Sequence, residues 1–151
     1  MDVAADLDAS CSPARLHELV RDLSRYPSWL SIVPRAEPEA VPGELTGEEA
    51  VRAWSVELRA KVGPLARSKR LRMVRTVDDH DHVRFERDEL DGRHHSSWVL
   101  DARIAATEVG SRVTMSLHYG GGLGGGLVER MLRDEIESSR PRLRALAEAP
   151  G

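Results

Sequence analysis

Apolar and polar positions alternate along most of this chain, and the stretches that break the alternation have helical spacing. Val3, Ala5 and Leu7 alternate with Asp2, Ala4, Asp6 and Asp8, the period-two pattern of a strand with one wet face. Ser12 followed by Pro13 marks a helix start, with Ser as cap and Pro at the first helical position. Leu16, Leu19, Val20 and Leu23 then form one apolar face, and Tyr26 to Val33 predict a second short helix that ends before Pro34. From Trp54 the period returns to two. Trp54, Val56, Leu58, Ala60 and Val62 share one parity, followed by Leu71 and Met73, Val83 and Phe85, Trp98, Leu100, Ala102 and Ile104, and finally Val113, Met115, Leu117 and Tyr119. Gly63-Pro64, the polar run Asp78 to Asp81, Asp91-Gly92 and Gly110 separate these runs as turns, so successive strands pair antiparallel. The Pro-, Gly- and Glu-rich stretch from Glu37 to Glu49 reads as a mobile loop or an irregular edge strand.

The last strand runs into Gly120, Gly121, Gly122, Leu123, Gly124, Gly125 and Gly126. Their conformational freedom predicts a hinge. The hinge delivers a long amphipathic helix with Leu127, Val128, Met131, Leu132, Ile136, Leu143 and Leu146 on its apolar side. Such a helix buries its stripe only by lying back across the sheet it has just left, and the space between the two is a natural pocket. Pro141 lacks an amide hydrogen and its ring crowds the preceding turn, so a kink or break is expected between Glu137 and Arg142. The predicted fold is α+β: an antiparallel sheet of six to seven strands wrapped around one long C-terminal helix, with two short helices after the first strand. The 151 residues are expected to form a single domain.

Composition narrows the function classes. Lys and Arg number 22 against 25 Asp and Glu, for a net charge of −3, which argues against a nucleic-acid partner. Cys11 is the one cysteine and reads as a small packed residue in a reducing compartment. No apolar run approaches the roughly 20 residues of a bilayer span, and the first residues do not resemble a signal peptide, so a cytoplasmic location without integral membrane association is expected. Asp78, Asp79, His80, Asp81 and His82 are too consecutive to converge on one ion, the glycine run lacks the Lys and Ser or Thr of a phosphate loop, and neither a metal nor a cofactor is expected. The basic run Arg67, Lys69, Arg70, Arg72 and Arg75 is expected to pair across strands with Glu57, Glu86, Asp88 and Asp101.

Several ordered features together resemble one superfamily. Ser12, Pro13 and Ala14 open the first helix. Asp22 is followed by Tyr26, Pro27, Ser28 and Trp29. Val62, Gly63, Pro64 and Leu65 enter a central hairpin, and Tyr119 to Gly126 lead into the final helix. This set is similar to the START-like helix-grip proteins (SRPBCC), which include lipid-transfer domains, plant pollen allergens and bacterial polyketide cyclases. The resemblance implies a helix-grip fold and a cavity for an apolar or aromatic ligand. It also implies a candidate catalytic residue, because Arg75-Thr76-Val77-Asp78 resembles the stretch that supplies a substrate-polarising arginine in aromatizing cyclases. Tyr26 stands where those enzymes carry an aromatic lid residue, whereas Val33 stands where they carry a second pocket tyrosine.

The candidate ligand-binding residues are Tyr26, Trp29, Trp54, Met73, Arg75, Phe85, Arg87, Trp98, Leu100, Met115, Tyr119, Leu127 and Met131. Arg75 and Arg87 continue inward-facing lines, as do His94 and Ser96 before Trp98. An inward arginine would hold a ligand oxygen through its planar fork; an arginine near a strand end would reach water or pair with Glu89 or Asp101. Trp29 is the candidate for the cavity mouth and Trp98 for ordinary core. The expected function is binding or transfer of a hydrophobic small molecule: a lipid, a quinone-like molecule or an aromatic polyketide. The alternatives are a cyclase or aromatase using Arg75, and a protein-interaction module using the arginine-rich sheet face. Oligomeric state is left open.

Overall fold

The computed structural model describes residues 1–39, 52–62, 64–120 and 126–150. Seven strands form one sheet: β1 (Asp2–Ala9), β2 (Arg35–Glu39), β3 (Ala53–Val62), β4 (Leu65–Asp79), β5 (His82–Arg87), β6 (Trp98–Thr107) and β7 (Gly110–Tyr119). Their order is β1-β7-β6-β5-β4-β3-β2, a meander closed at one edge by β1. Every neighbouring pair is antiparallel, as the turn chemistry requires. The register confirms the parity read from the alternation. One row runs Arg75, Phe85, Leu100, Leu117, Val3 across five strands. The edge strand β2 falls at the start of the stretch read as loop or edge. Pro38 lies in it, as suits an edge. Residues 40–51 lie outside the described residues.

Among the described residues, three helical elements pack against the sheet. Helix α1 (Pro13–Val20) begins as expected, with the Ser12 hydroxyl accepting the Arg15 amide at 3.2 Å, and buries Leu16, Leu19 and Val20. The second helix differs from the expected Tyr26–Val33. It is a 3-10 helix at Leu23–Ser28, capped by Asp22, whose carboxylate accepts the Ser24 amide at 3.0 Å. An Asp cap and a Pro in the run favour one tight turn over a longer α-helix. Helix α2 (Gly126–Glu148) follows the residues read as a hinge, of which 121–125 lie outside the described residues. No break occurs at Pro141: α2 runs through it. Only the Glu137 carbonyl is deprived of an amide partner there, and sheet packing on both sides of the proline holds the helix in register, with Leu132, Leu143 and Ala147 buried.

Two expected turns are also revised. Asp78 and Asp79 belong to β4, and the turn is His80-Asp81 alone. The Asp91-Gly92 signal marks not a tight hairpin but the middle of a connection over 88–97, where Gly92 has φ +72°. His94 and Ser96 therefore lie on this connection rather than on a strand.

The bulge between Arg75 and Val77 has a structural consequence. Inserting one residue reverses the parity, so Asp78 follows Arg75 onto the inner face instead of the outer one. There the Asp78 carboxylate accepts from His17 Nε2 at 2.8 Å and from Arg21 at 2.8 Å, and lies 3.5 Å from Arg75 Nε. Partial burial pushes the Asp78 pKa up, but hydrogen bonding from Arg21, the charge of Arg75 and the His17 contact outweigh it and hold the carboxyl below its ordinary value. This cluster pins the end of α1 to the middle of the sheet. At the opposite end of α1, the Ser111 hydroxyl donates to the Cys11 carbonyl at 2.8 Å, and the half-buried Cys11 packs against the core.

Gly110 shows the tightest constraint among the described glycines. Its φ is +149°, and an added Cβ would lie 2.3 Å from the Ala9 carbonyl oxygen and 2.8 Å from the Cys11 amide. Gly92 also has a positive φ but is open, with nothing within 4 Å of an added Cβ. Gly110→Ala is expected to cost roughly 3 kcal/mol and Gly92→Ala only about 1 kcal/mol, read from urea midpoints at unchanged slope. For Asp78, a depressed folded pKa means its contribution is complete above the unfolded value near 4 and disappears as pH falls through the folded one. Asp78→Asn should thus lose about 1–2 kcal/mol at pH 7, with the deficit closing in unfolding measurements below about pH 4.

Candidate ligand-binding cavity

The alternation of β1 and β7 sends Val3, Ala5 and Leu7, and Val113, Met115 and Leu117, to the inner face near one edge of the sheet. Leu100 of β6 continues this floor. Helix α2 forms the roof with Leu132, Ile136, Ser139, Arg140 and Leu143, which follow one another at helical spacing on one side of the helix. The side wall comes from the 3-10 helix and the residues after it: Tyr26, Trp29, Leu30 and Ile32. The helix does not close fully onto the floor, and a cavity of about 100 Å³ remains between them.

The side wall is held rigidly. Tyr26 is 1% exposed and its hydroxyl donates to the Val20 carbonyl at 2.9 Å. Burial, reinforced by the charge of Asp22, drives this phenol far above its ordinary pKa, so it serves as a neutral hydrogen-bond donor to α1. Its ring lies 4.7 Å from that of Trp29 and meets Phe85 edge-on at 6.3 Å; Trp54 meets Phe85 edge-on at 5.5 Å. The Ser139 hydroxyl in the roof donates to the Ile136 carbonyl at 2.6 Å, so it turns back on its own helix. Two nitrogens among the lining residues differ: Trp29 Nε1 and Arg140 Nε are buried and have no hydrogen-bond partner among the described residues.

Of the candidate residues, Tyr26, Trp29, Leu100 and Met115 line this cavity. Trp54, Met73 and Phe85 are buried core side chains that do not line it, Phe85 meeting the Tyr26 ring of the 3-10 helix. Trp98 stacks on Tyr119 at 4.9 Å, with the Lys69 ammonium 5.9 Å above its ring. Met131 is half-buried on α2 outside the lining, and the side chain of Leu127 lies outside the described residues. Arg87 binds Glu89 at 3.1 Å, the Ser96 carbonyl at 3.3 Å and His95 at 3.3 Å, and so staples the 88–97 connection.

Arg75 lies on the inner face but is not among the lining residues. On the row Arg75, Phe85, Leu100 it stands two strands from Leu100, about 10 Å away at the usual strand spacing. Its guanidinium donates to the Arg21 carbonyl at 2.6 Å, approaches Asp78, and sits 5.3 Å over Trp54. Burial holds its pKa below the ordinary arginine value, with Asp78 opposing that shift. The pairing expected of the basic run is met only in register, where Arg70 stands opposite Glu57; Arg72 instead pairs with Glu39 at 2.8 Å, Arg75 lies inside near Asp78, and Asp101 pairs with His82 at 2.6 Å.

The candidates named from the sequence missed the floor residues Val3, Ala5, Leu7, Val113 and Leu117, the wall residues Leu30 and Ile32, and the whole roof. Leu132, Ile136 and Leu143 belong to the stripe identified on the last helix, and Arg140 lies one turn before Arg144 on the same run. Their spacing marked them as buried without telling which part of the stripe meets a gap. Among the described residues, no helix is long and apolar enough to cross a membrane.

Comparison with known proteins agrees with this geometry. Solved structures of similar fold include the protein TTHA0849 from Thermus thermophilus, at TM-score 0.69 and 21% identity, covering 97% of both chains. A START superfamily protein from Mycobacterium smegmatis matches at TM-score 0.69 and 12% identity, again covering 97% of each chain. The di-domain ARO/CYC StfQ of the steffimycin biosynthetic pathway matches at TM-score 0.66 and 14% identity, over 97% of this chain and 50% of that one. No curated protein matches in sequence. These structural likenesses establish the START-like fold. The family model described as polyketide cyclase / dehydrase and lipid transport spans residues 2–148, and the chain belongs to that family.

Proposed function

We propose that this protein binds and carries a hydrophobic small molecule in the cavity beneath α2. The observation that supports this reading is the cavity wall itself: aliphatic side chains from β1, β7 and α2, plus two aromatic rings. Its volume of about 100 Å³ sets the scale. An engineered apolar cavity of about 150 Å³ takes up benzene. A single ring or a short alkyl segment is therefore the natural occupant of the closed form, and a longer lipid requires α2 to swing away from the floor. The occupant would be held by apolar contact, at about 25 cal/mol per Å² removed from water.

Carriage is favoured over catalysis by the placement of Arg75. A cyclase of the aromatizing type would use a pocket arginine to polarise substrate oxygens, but here the guanidinium is engaged with Arg21, Asp78 and the face of Trp54.

The reading is tested by filling the cavity. Ala5, half-buried and opposite Met115, is the smallest floor residue. Ethylbenzene titrated into wild-type protein should shift methyl resonances of Leu7, Met115 and Leu132 to saturation. In Ala5→Leu the added carbons occupy the same space, so ethylbenzene affinity should fall at least about tenfold, a loss of roughly 1.4 kcal/mol. Wild-type protein that takes up no ethylbenzene, or Ala5→Leu protein that binds it equally well, contradicts the proposal.

A further inference from the structure

The cavity is apolar but not featureless. Trp29 is 4% exposed, lines the wall, and leaves its indole N–H buried without a partner among the described residues. On α2, Arg140 lines the roof. Its Nη1 reaches outward to Glu137 at 3.1 Å, while its Nε is buried and also lacks a partner among the described residues. A buried donor left unsatisfied costs about 1–3 kcal/mol. Two such donors among the residues lining one cavity describe a place where something else accepts.

Trp54 and Trp98 also bury unpartnered indole N–H groups, so an orphaned indole is not by itself a ligand signal in this chain. Neither of those residues lines the cavity, and each is enclosed by other side chains: Trp54 by Phe85 and Arg75, Trp98 by Tyr119 and Lys69. Among the described residues, Trp29 Nε1 and Arg140 Nε are the buried unpartnered nitrogens on side chains that line this cavity.

We infer that Trp29 and Arg140 are specificity-determining residues that read a neutral carbonyl oxygen on an otherwise apolar ligand, an inference that rests on the cavity being the binding site. The ligand class is a ketone or ester whose hydrocarbon part lies against Leu7, Met115 and Leu132 and whose oxygen accepts from the indole N–H and the guanidinium Nε–H. The surroundings select a neutral acceptor over a carboxylate. Arg140 already carries a carboxylate partner in Glu137, so its charge is balanced, and a ligand carboxylate would add an uncompensated anion to an apolar cavity.

Three probes of nearly equal size separate the possibilities: ethylbenzene, acetophenone and benzoate. Dissociation constants are measured by NMR titration, with the Trp29 indole proton as a second readout. Wild-type protein should prefer acetophenone to ethylbenzene by about five- to tenfold, prefer it to benzoate as well, and move the Trp29 indole proton downfield with acetophenone alone. The preference is a ratio within one protein, so a general change in cavity affinity cancels. In Trp29→Phe and in Arg140→Met the ratio should fall towards one, and Arg140→Lys, which cannot place a planar Nε–H, should not restore it. Equal wild-type affinity for ethylbenzene and acetophenone overturns the inference and leaves the apolar cavity intact as a binding site. Preference for benzoate overturns the neutral-acceptor assignment. Failure of all three probes to bind removes the site and the inference together.

Discussion

The structure depends on how one amphipathic helix is held over the inner face of a twisted sheet. The C-terminal half of α2 is fixed at several points. Arg144 donates to the Asp8 carbonyl, Arg15 of α1 donates to the Leu146 carbonyl, and the Glu148 carboxylate accepts both the amide and the hydroxyl of Ser10. Leu143 and Ala147 are buried beside these contacts. Further back, Leu132 is buried and Glu135 accepts from the Ser31 hydroxyl. Between these anchor points the helix spans a floor of strand residues that it does not fully reach, and the cavity is the remainder. A helix is a straight rod and a sheet twists, so contact along the whole stripe is not available to both.

The second determinant is the wedge formed by the 3-10 helix. Tyr26 and Trp29 stand between α1 and α2, and their rings close the side of the cavity. Tyr26 is fixed by its bond to Val20, and Val20 belongs to a helix fixed in turn by Asp78. Thus the bulge in β4, far along the sheet, contributes to the position of the wall. This is also why Arg75 serves the architecture: the same bulge that brings Asp78 inward places the arginine where it receives Asp78 and caps the exposed carbonyl of Arg21.

The fold was legible because its signals are repeated. Six alternating runs, their turn residues and one long amphipathic stretch fixed strand number, pairing sense and helix position. What the sequence concealed were events that depend on a single residue. The bulge after Arg75 shifted Asp78 from a turn to an anchor, and no composition signal distinguishes that step from regular alternation. Pro141 had a sound local argument for breaking the helix, but packing on both sides overrode it. Within the site, Tyr26, Trp29, Leu100 and Met115 came from aromatic content and parity. The roof residues shared a stripe with residues that simply pack, and the gap beneath them exists only in three dimensions. Arg140 was hidden for the same reason, since an arginine on a helix reads as a solvated charge until its Nε is found buried.

The central claim is that the space between α2 and the β1–β7 floor is an apolar site open to a guest. The most direct measurement is a crystal structure of the protein under xenon pressure, because xenon enters apolar cavities without requiring any particular chemistry. A xenon atom in contact with Val3, Leu7, Met115, Leu132 and Ile136 is the expected result. Xenon absent from that position, or found instead among Trp54, Met73 and Phe85, would contradict the account.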